Sequence, residues 1–517
     1  MAHTLIFQKF VRLLRATQVA NQQQGRSVRS KQTISRRQLL KMSAVVGAGT
    51  LLPACRPFDS TDDQPKIVIV GAGLAGLNAA YQLKKAGYQA TLYEASNRVG
   101  GRMFTMTDEF APDTWVDLGG EFVNSSHKDM LSLIKEFNLT LDDRHALGDA
   151  RPKDYFFFDG QLLSEDTLIK ELSPIVERLT VDAKRLDEDW ENASVELDQL
   201  SMATYLDGLG VDGWPRKLID QVMITEMGLE MGEMSSLSLL WQIPIVGKDG
   251  VKILGDSDER FKIRGGTQQL INALAKEVET QIQTGKPLQA IHSRGDGFNL
   301  TFQGLDVEAD FVILALPFTI LRQLEVGVEL PEGLRRFIKE VGYGHNAKVM
   351  AGFKHRVWQQ QGVSCKGYTE DTFQTSWEGT ELQSSEVGVI TYFLGGDVGL
   401  HSINGTPKEQ AEKFIQETEK FIPGISAQSN GQAKRMHWPT KEFVKGSYAC
   451  FKPGQYTNFI QDYVYIEDEK EGQDVAAGNL IFAGEHLSDE HQGFMNGAAQ
   501  TGRLAAEHLL RKIKNIS

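Results

Sequence analysis

Lys66-Ile67-Val68-Ile69-Val70-Gly71-Ala72-Gly73-Leu74-Ala75-Gly76 is the stretch that decides the fold. A short β-branched run bounded by glycine reads as a strand buried on both faces of a parallel sheet. Leu77 to Ala86 then carries Ala and Leu at helical spacing, and Gly87 closes it as a C-cap does. In this strand, turn and helix, Gly71 permits the tight turn and Gly73 lets the backbone approach a pyrophosphate. Gly76 lets the helix pack close on the strand while its N-terminal N–H groups and dipole face the anion, and Leu74 and Ala75 join the expected cofactor contacts.

A second strand, Ala90-Thr91-Leu92-Tyr93, ends in Glu94, 23 positions after Gly71. A carboxylate there accepts both hydroxyls of an adenosine ribose, which favours FAD or NAD over NADP. Ala95-Ser96-Asn97-Arg98-Val99-Gly100-Gly101-Arg102 follows. Here the chain resembles the flavin-containing amine oxidase family, which includes monoamine, polyamine and L-amino-acid oxidases. The resemblance implies that Ala95 and Gly101 contact the cofactor and that Arg102 reaches its phosphates; NAD dehydrogenases lack this segment. Asp117-Leu118-Gly119-Gly120-Glu121-Phe122-Val123 is similar to the family segment along the flavin ring, which adds Gly119, Gly120, Glu121 and Phe122 to the expected FAD contacts.

Further family segments appear in order. Phe261 to Leu270 resembles the turn and helix that return the chain to the cofactor domain, and Lys286-Pro287-Leu288 the strand whose backbone, at Leu288, meets the adenine. Phe311 to Pro317 and Asn479 to Ala483 read as buried strands. Near the C-terminus, Gly484-Glu485-His486 and Gly493-Phe494-Met495 lead into apolar residues at helical spacing up to about Leu510. By resemblance Glu485 contacts the ribityl and phosphate region. The helix start at Gly493 and Met495 faces the flavin O2 region, where negative charge collects on reduction. His486 reads as a structural histidine at a strand end.

Oxidising an amine to an imine removes a hydride equivalent from the α-carbon, so the flavin supplies the chemistry and the protein supplies position and electrostatics. Lys348 matches the lysine that family members hold through a water to flavin N5; on spacing alone it reads as a surface residue of an alternating strand. Tyr448 and Phe494 match the two walls of an aromatic cage for the amine, although either alone reads as core. Ser447 stands where mammalian monoamine oxidases carry the cysteine bonded to flavin, so FAD is expected to be noncovalent. Animal L-amino-acid oxidases place a carboxylate-binding arginine where this chain has Phe122. That favours a simple amine, with amino acids left open through another cation. Glu121 and Asn124 fall near the expected entrance, where Glu121 either attracts a second positive charge or pairs with backbone. The expected activity oxidises a primary amine or L-amino acid, with molecular oxygen reduced to peroxide. The rivals are a flavin desaturase acting on carbon–carbon bonds and a non-catalytic FAD-binding protein.

The 517 residues bury a core large enough for more than one lobe. The net charge of −13 hides a leader, residues 1–58, with ten basic residues and no acid, so the remaining body stands near −23 and repels nucleic acid. Ser35-Arg36-Arg37-Gln38-Leu39-Leu40-Lys41 resembles a twin-arginine motif, and Met42 to Leu52 is too short for a permanent membrane span. Leu52-Pro53-Ala54-Cys55 resembles a lipoprotein cleavage box, which would tether the chain in the periplasm or cell envelope through a lipidated Cys55. Cys365 and Cys450 complete the cysteines, and no metal-ligand spacing appears, so no metal is expected.

The resulting expectation is an α/β chain. Residues 1–55 are the export signal. Residues 66–145, 261–346 and 446–517 form a Rossmann-like FAD-binding domain, and an α+β substrate-binding domain of 146–260 and 347–445 is interleaved with it. Phe156-Phe157-Phe158, Trp241 and Trp377 are read as pocket lining or core. The oligomeric state is open.

Overall fold

The computed structural model describes residues 64–146, 153–243, 245–247, 250–252, 258–460, 463–467 and 475–516, together with Leu14. Apart from Leu14, the export leader, with Arg36, Arg37 and Cys55, lies outside the described residues. The chain forms two compact units: a nucleotide unit of residues 64–103, 268–341 and 458–516, and a second unit of 104–267 and 342–457.

In the nucleotide unit Ile67–Val70 forms a strand whose four residues are all buried. It lies parallel between Ala90–Tyr93 and Phe311–Leu314, with Ile67 opposite both Ala90 and Phe311. Ile282–Gln283 and Leu480–Phe482 extend the sheet in parallel, and Ala476–Ala477 closes one edge antiparallel. Two helices, Leu74–Lys85 and Met495–Ile516, pack together, and Asn78 Nδ2 donates to the Ala499 carbonyl at 2.6 Å. A β-carbon at Gly502 would collide with the Ala75 carbonyl, so glycine sets how closely these helices approach. Leu288–Arg294 belongs to a separate four-stranded sheet.

The second unit is built on a seven-stranded sheet in the order Ser429–His437, Ala347–Phe353, Gly388–Leu394, Thr375–Glu378, Val363–Thr369, Lys153–Phe158 and Gln161–Leu162. All its pairings are antiparallel except that of Val363–Thr369 with Lys153–Phe158. Ala347–Phe353 is buried along its whole length. Val349, Ala351 and Phe353 enter one core with Trp358, Tyr392 and Phe414, whereas Met350 enters another with Val116, Leu118 and Met436. Alternation therefore places Lys348 on the Met350 face, toward the segment around Asp117. Phe156, Phe157 and Phe158 are core residues of the Lys153–Phe158 strand. Trp241 is also core, stacked on Trp190 and edge-on to Tyr456.

Residues 104–145, 261–267, 342–346 and 446–457, expected in the FAD-binding domain, belong to the unit of the seven-stranded sheet. The reason is their pairing. Thr105–Thr107 pairs with Trp115–Asp117, and Phe261–Ile263 is the middle strand between Phe122–Val123 and Leu141–Asp143. Thr267 donates to Asp117 Oδ1 through both its backbone N–H and its hydroxyl, each at 3.0 Å.

Candidate active site

In the nucleotide unit, Gly71 turns at φ +100°, and a β-carbon at Gly76 would overlap the Gly71 carbonyl. A β-carbon at Gly73, by contrast, would meet nothing within 4 Å, so the turn is tight on its inner side and open on its outer side. Helix Leu74–Lys85 has no side-chain cap and no acid in its first turn. Its leading N–H groups are thus left to an external acceptor. Glu94 Oε2 accepts from the Ala72 N–H at 2.8 Å, and Oε1 accepts from the Ser96 N–H and hydroxyl. An ionised carboxylate retains acceptor capacity beyond these three bonds.

The second glycine pair lies against the first. The Gly100 N–H donates to the Ala72 carbonyl at 2.7 Å, and a β-carbon at Gly101 would come 3.3 Å from Gly73 Cα. Arg98 braces this loop by donating to the carbonyls of Val99, Gly101 and Met103. Arg102 Nη1 meets Glu485 Oε1 at 2.8 Å, while Glu485 Oε2 accepts from the Gly493 N–H at 2.8 Å. Burial raises the Glu485 carboxyl, but Arg102 and the hydrogen bonds outweigh it and hold the group below its ordinary range. Helix Met495–Ile516 starts two residues beyond Gly493. Open glycine turn, uncapped helix start, ribose acid and basic loop together fit an adenine dinucleotide. His486 is buried, packs 4.1 Å from the Phe318 ring centroid, and is pushed down to about 4 by burial. A neutral structural imidazole fits that setting.

In the second unit the sequence-predicted residues Gly119, Glu121 and Lys348 come together. Lys348 is 4% exposed. Its Nζ donates to the Asp117 carbonyl, the Gly119 carbonyl and Glu121 Oε2, each at 2.9 Å. Three acceptors match the three protons of an ammonium. Lys262, which sequence reasoning missed, donates to Glu121 Oε1 at 2.9 Å and to the Gly379 carbonyl at 2.8 Å. Trp377 Nε1 adds bonds of 3.2 and 3.3 Å to the same carboxylate. Burial raises the Glu121 carboxyl, yet Lys262 and Lys348 together bring it down to about 2. Both oxygens are taken, so Glu121 is a structural anion rather than a lure for a second substrate charge. Asn124 likewise serves the fold, its Oδ1 accepting from the Glu259 N–H at 2.8 Å.

Phe122 is half-buried, with its ring 5.8 Å from Trp377 and 4.0 Å from the Arg144 guanidinium. The Tyr448 hydroxyl donates to the Glu226 carbonyl at 2.7 Å, which fixes its ring. Phe494, the other expected cage wall, belongs to the nucleotide unit and packs edge-on to His491. The Ser447 hydroxyl donates to Asn346 Oδ1 at 2.6 Å. Burial pushes the Cys450 thiol up to about 12, so it has little thiolate character.

The family model for flavin containing amine oxidoreductases matches residues 74–510, and that for twin-arginine translocation signals matches residues 33–53. An L-amino acid dehydrogenase of Synechocystis sp. is 25% identical over 90% of this chain and 98% of its own. A flavin-containing amine oxidase of Oncorhynchus mykiss is 24% identical over 87% and 86% of the two chains. (S)-6-hydroxynicotine oxidase of Paenarthrobacter nicotinovorans is 25% identical over 86% and 99%. Among solved structures, cyclohexylamine oxidase from Brevibacterium oxydans superposes with a TM-score of 0.75 at 22% identity, covering 87% of this chain and all of the other. A putrescine oxidase bound to putrescine gives 0.71 at 21%, covering 87% and 99%.

Proposed function

Because this chain belongs to the flavin containing amine oxidoreductase family, an enzyme family that binds FAD, we propose that it oxidises a primary amine or an L-amino acid with oxygen as electron acceptor. The substrate gives up two electrons and two protons to become an imine, oxygen takes both to become hydrogen peroxide, and water hydrolyses the imine to an aldehyde or 2-oxo acid plus ammonia. FAD, when bound, supplies the two-electron chemistry.

The chain's own residues bind, orient and stabilise. Gly71, Gly73, Gly76 and the first N–H groups of Leu74–Lys85 would take the pyrophosphate, Glu94 the ribose, and Arg102 with Glu485 the phosphate and ribityl region. The positive end of Met495–Ile516 would favour negative charge on a flavin ring held at its start. Tyr448, its ring fixed by the bond from its hydroxyl to the Glu226 carbonyl, would offer a ring face to the amine. Lys348 is the observation that supports the reading most: a buried ammonium fixed by three acceptors is a costly feature for folding alone. We assign it the handling of protons as the flavin is reoxidised.

The test is a panel of amines, diamines and L-amino acids given to the FAD-loaded enzyme, with peroxide and ammonia measured together. Peroxide in step with ammonia supports the oxidase. Ammonia that forms only with an added dye acceptor would make it a dehydrogenase, a second reading favoured by the name of the Synechocystis relative. Neither product would end the amine-oxidation reading. The matched signal at residues 33–53 directs export by the twin-arginine route. We further propose a lipid on Cys55, which the mass of the exported protein would reveal.

A further inference from the structure

Arg144 is completely enclosed, yet its hydrogen bonding is incomplete. Nε donates to Glu381 Oε2 at 2.8 Å, and Nη1 donates to the Glu259 carbonyl at 3.0 Å and stands 3.6 Å from Glu259 Oε2. Among the described residues Nη2 has no acceptor. Buried guanidinium donors are ordinarily satisfied, because leaving one unmade forfeits its solvation without replacement.

The surroundings state what kind of acceptor is missing. Glu381 is already shared, its Oε1 accepting from Lys366 Nζ at 2.8 Å. Glu121, one residue from the Phe122 ring on which Arg144 lies, has both oxygens taken by Lys262 and Lys348. Burial, opposed by Arg144 and reinforced by the neighbouring Glu226, lifts the Glu259 carboxyl well above its ordinary range. Three buried cations, Arg144, Lys262 and Lys348, therefore gather around Phe122 and Trp377, and the Glu121 and Glu381 carboxylates beside them are already engaged. Such a place repels a second ammonium and welcomes an anion.

We propose that Arg144 Nη2 receives the carboxylate of the substrate, reached past the half-buried Phe122 ring. The substrate class is then an α-amino acid rather than a simple amine, and least of all a diamine. This rests on the amine-oxidation reading above. It assigns to position 144 the cation that Phe122 cannot supply.

Pairs of substrates that differ only by the carboxylate test it: L-leucine with 3-methylbutylamine, L-phenylalanine with 2-phenylethylamine, and L-lysine with 1,5-diaminopentane. Anaerobic bleaching of the flavin in the FAD-loaded enzyme reads the reductive step whichever acceptor is natural. Each amino acid is expected to exceed its decarboxylated partner in kcat/KM by about tenfold to a hundredfold, the value of one charge-assisted hydrogen bond. Arg144→Met should bring the ratio within each pair close to one, and Arg144→Lys should restore part of it. Amines that bleach the flavin as well as their amino acids, or a ratio unchanged in Arg144→Met, overturn the assignment while leaving amine oxidation standing. If neither class bleaches it, both readings fall. The wild-type pairs decide the matter even if the variants fail to fold.

Discussion

Glu121→Gln preserves the shape of the side chain and removes the charge that two buried ammonium groups share. Breaking a buried ion pair by removing one partner costs about 3–5 kcal/mol. The depression of the Glu121 carboxyl gives a second route to the figure. From 4.5 down to about 2, at roughly 1.4 kcal/mol per pH unit, it corresponds to about 3 kcal/mol. For a domain of 150–250 residues, 1 kcal/mol moves Tm by roughly 2–4 °C, so the variant should melt about 6–12 °C lower. Scanning calorimetry of the FAD-loaded protein near neutral pH measures this.

The sign with pH follows from the direction of the shift. A carboxyl depressed in the folded state contributes fully above its unfolded value of 4.5 and loses that contribution as pH falls toward about 2. The Tm gap between wild type and Glu121→Gln should therefore be constant from neutral pH to about 5 and shrink below it. E121L/K262M/K348M, which removes all three charges, should recover most of the loss. A gap below about 2 °C, or a triple variant less stable than the single, would refute the view that Glu121 holds two buried cations.

Lys348→Met should keep FAD bound and the protein yellow while slowing flavin reoxidation or turnover by about a hundredfold or more, the usual share of positioned proton transfer, as read by stopped-flow spectroscopy. Gly76→Ala places a methyl group in the Gly71 carbonyl and should yield protein that is colourless or insoluble, scored by the flavin absorbance of the purified fraction. Glu485→Gln weakens the acceptor shared by Arg102 and the Gly493 N–H, so FAD affinity should drop by about tenfold in equilibrium dialysis. The kcat/KM profile should rise with pH as the substrate amine loses its proton, and His486, held down near 4, should add no limb near neutrality.

The nucleotide unit was legible because its signals are local. Val68 to Gly76 sets strand, turn and helix within a dozen positions, and each residue's reason is steric or electrostatic over a few ångströms. The charged centre of the second unit was not. Lys262 sits between Phe261 and Ile263, where alternation points a lysine outward, but Phe261–Ile263 is the middle strand of its sheet and Lys262 is 3% exposed. Nothing within ten residues signals Glu121 as its partner. Arg144 was equally silent, since Glu381 and Glu259 lie far from it in sequence and only folding gathers them. Lys348 was found through resemblance alone; its alternation pattern read as surface because a central strand buried on both faces looks the same until its neighbours are known.

Helix Met495–Ile516 packs, through Ala499 and Gly502, on a helix that opens the nucleotide unit more than four hundred residues earlier. Synthesis must thus run from the first of these helices through the second before the cofactor cradle can close, and loading has to wait for both. A secretion pathway that threads unfolded chains would carry the first half away from the last before they met; one that accepts finished, cofactor-laden molecules does not.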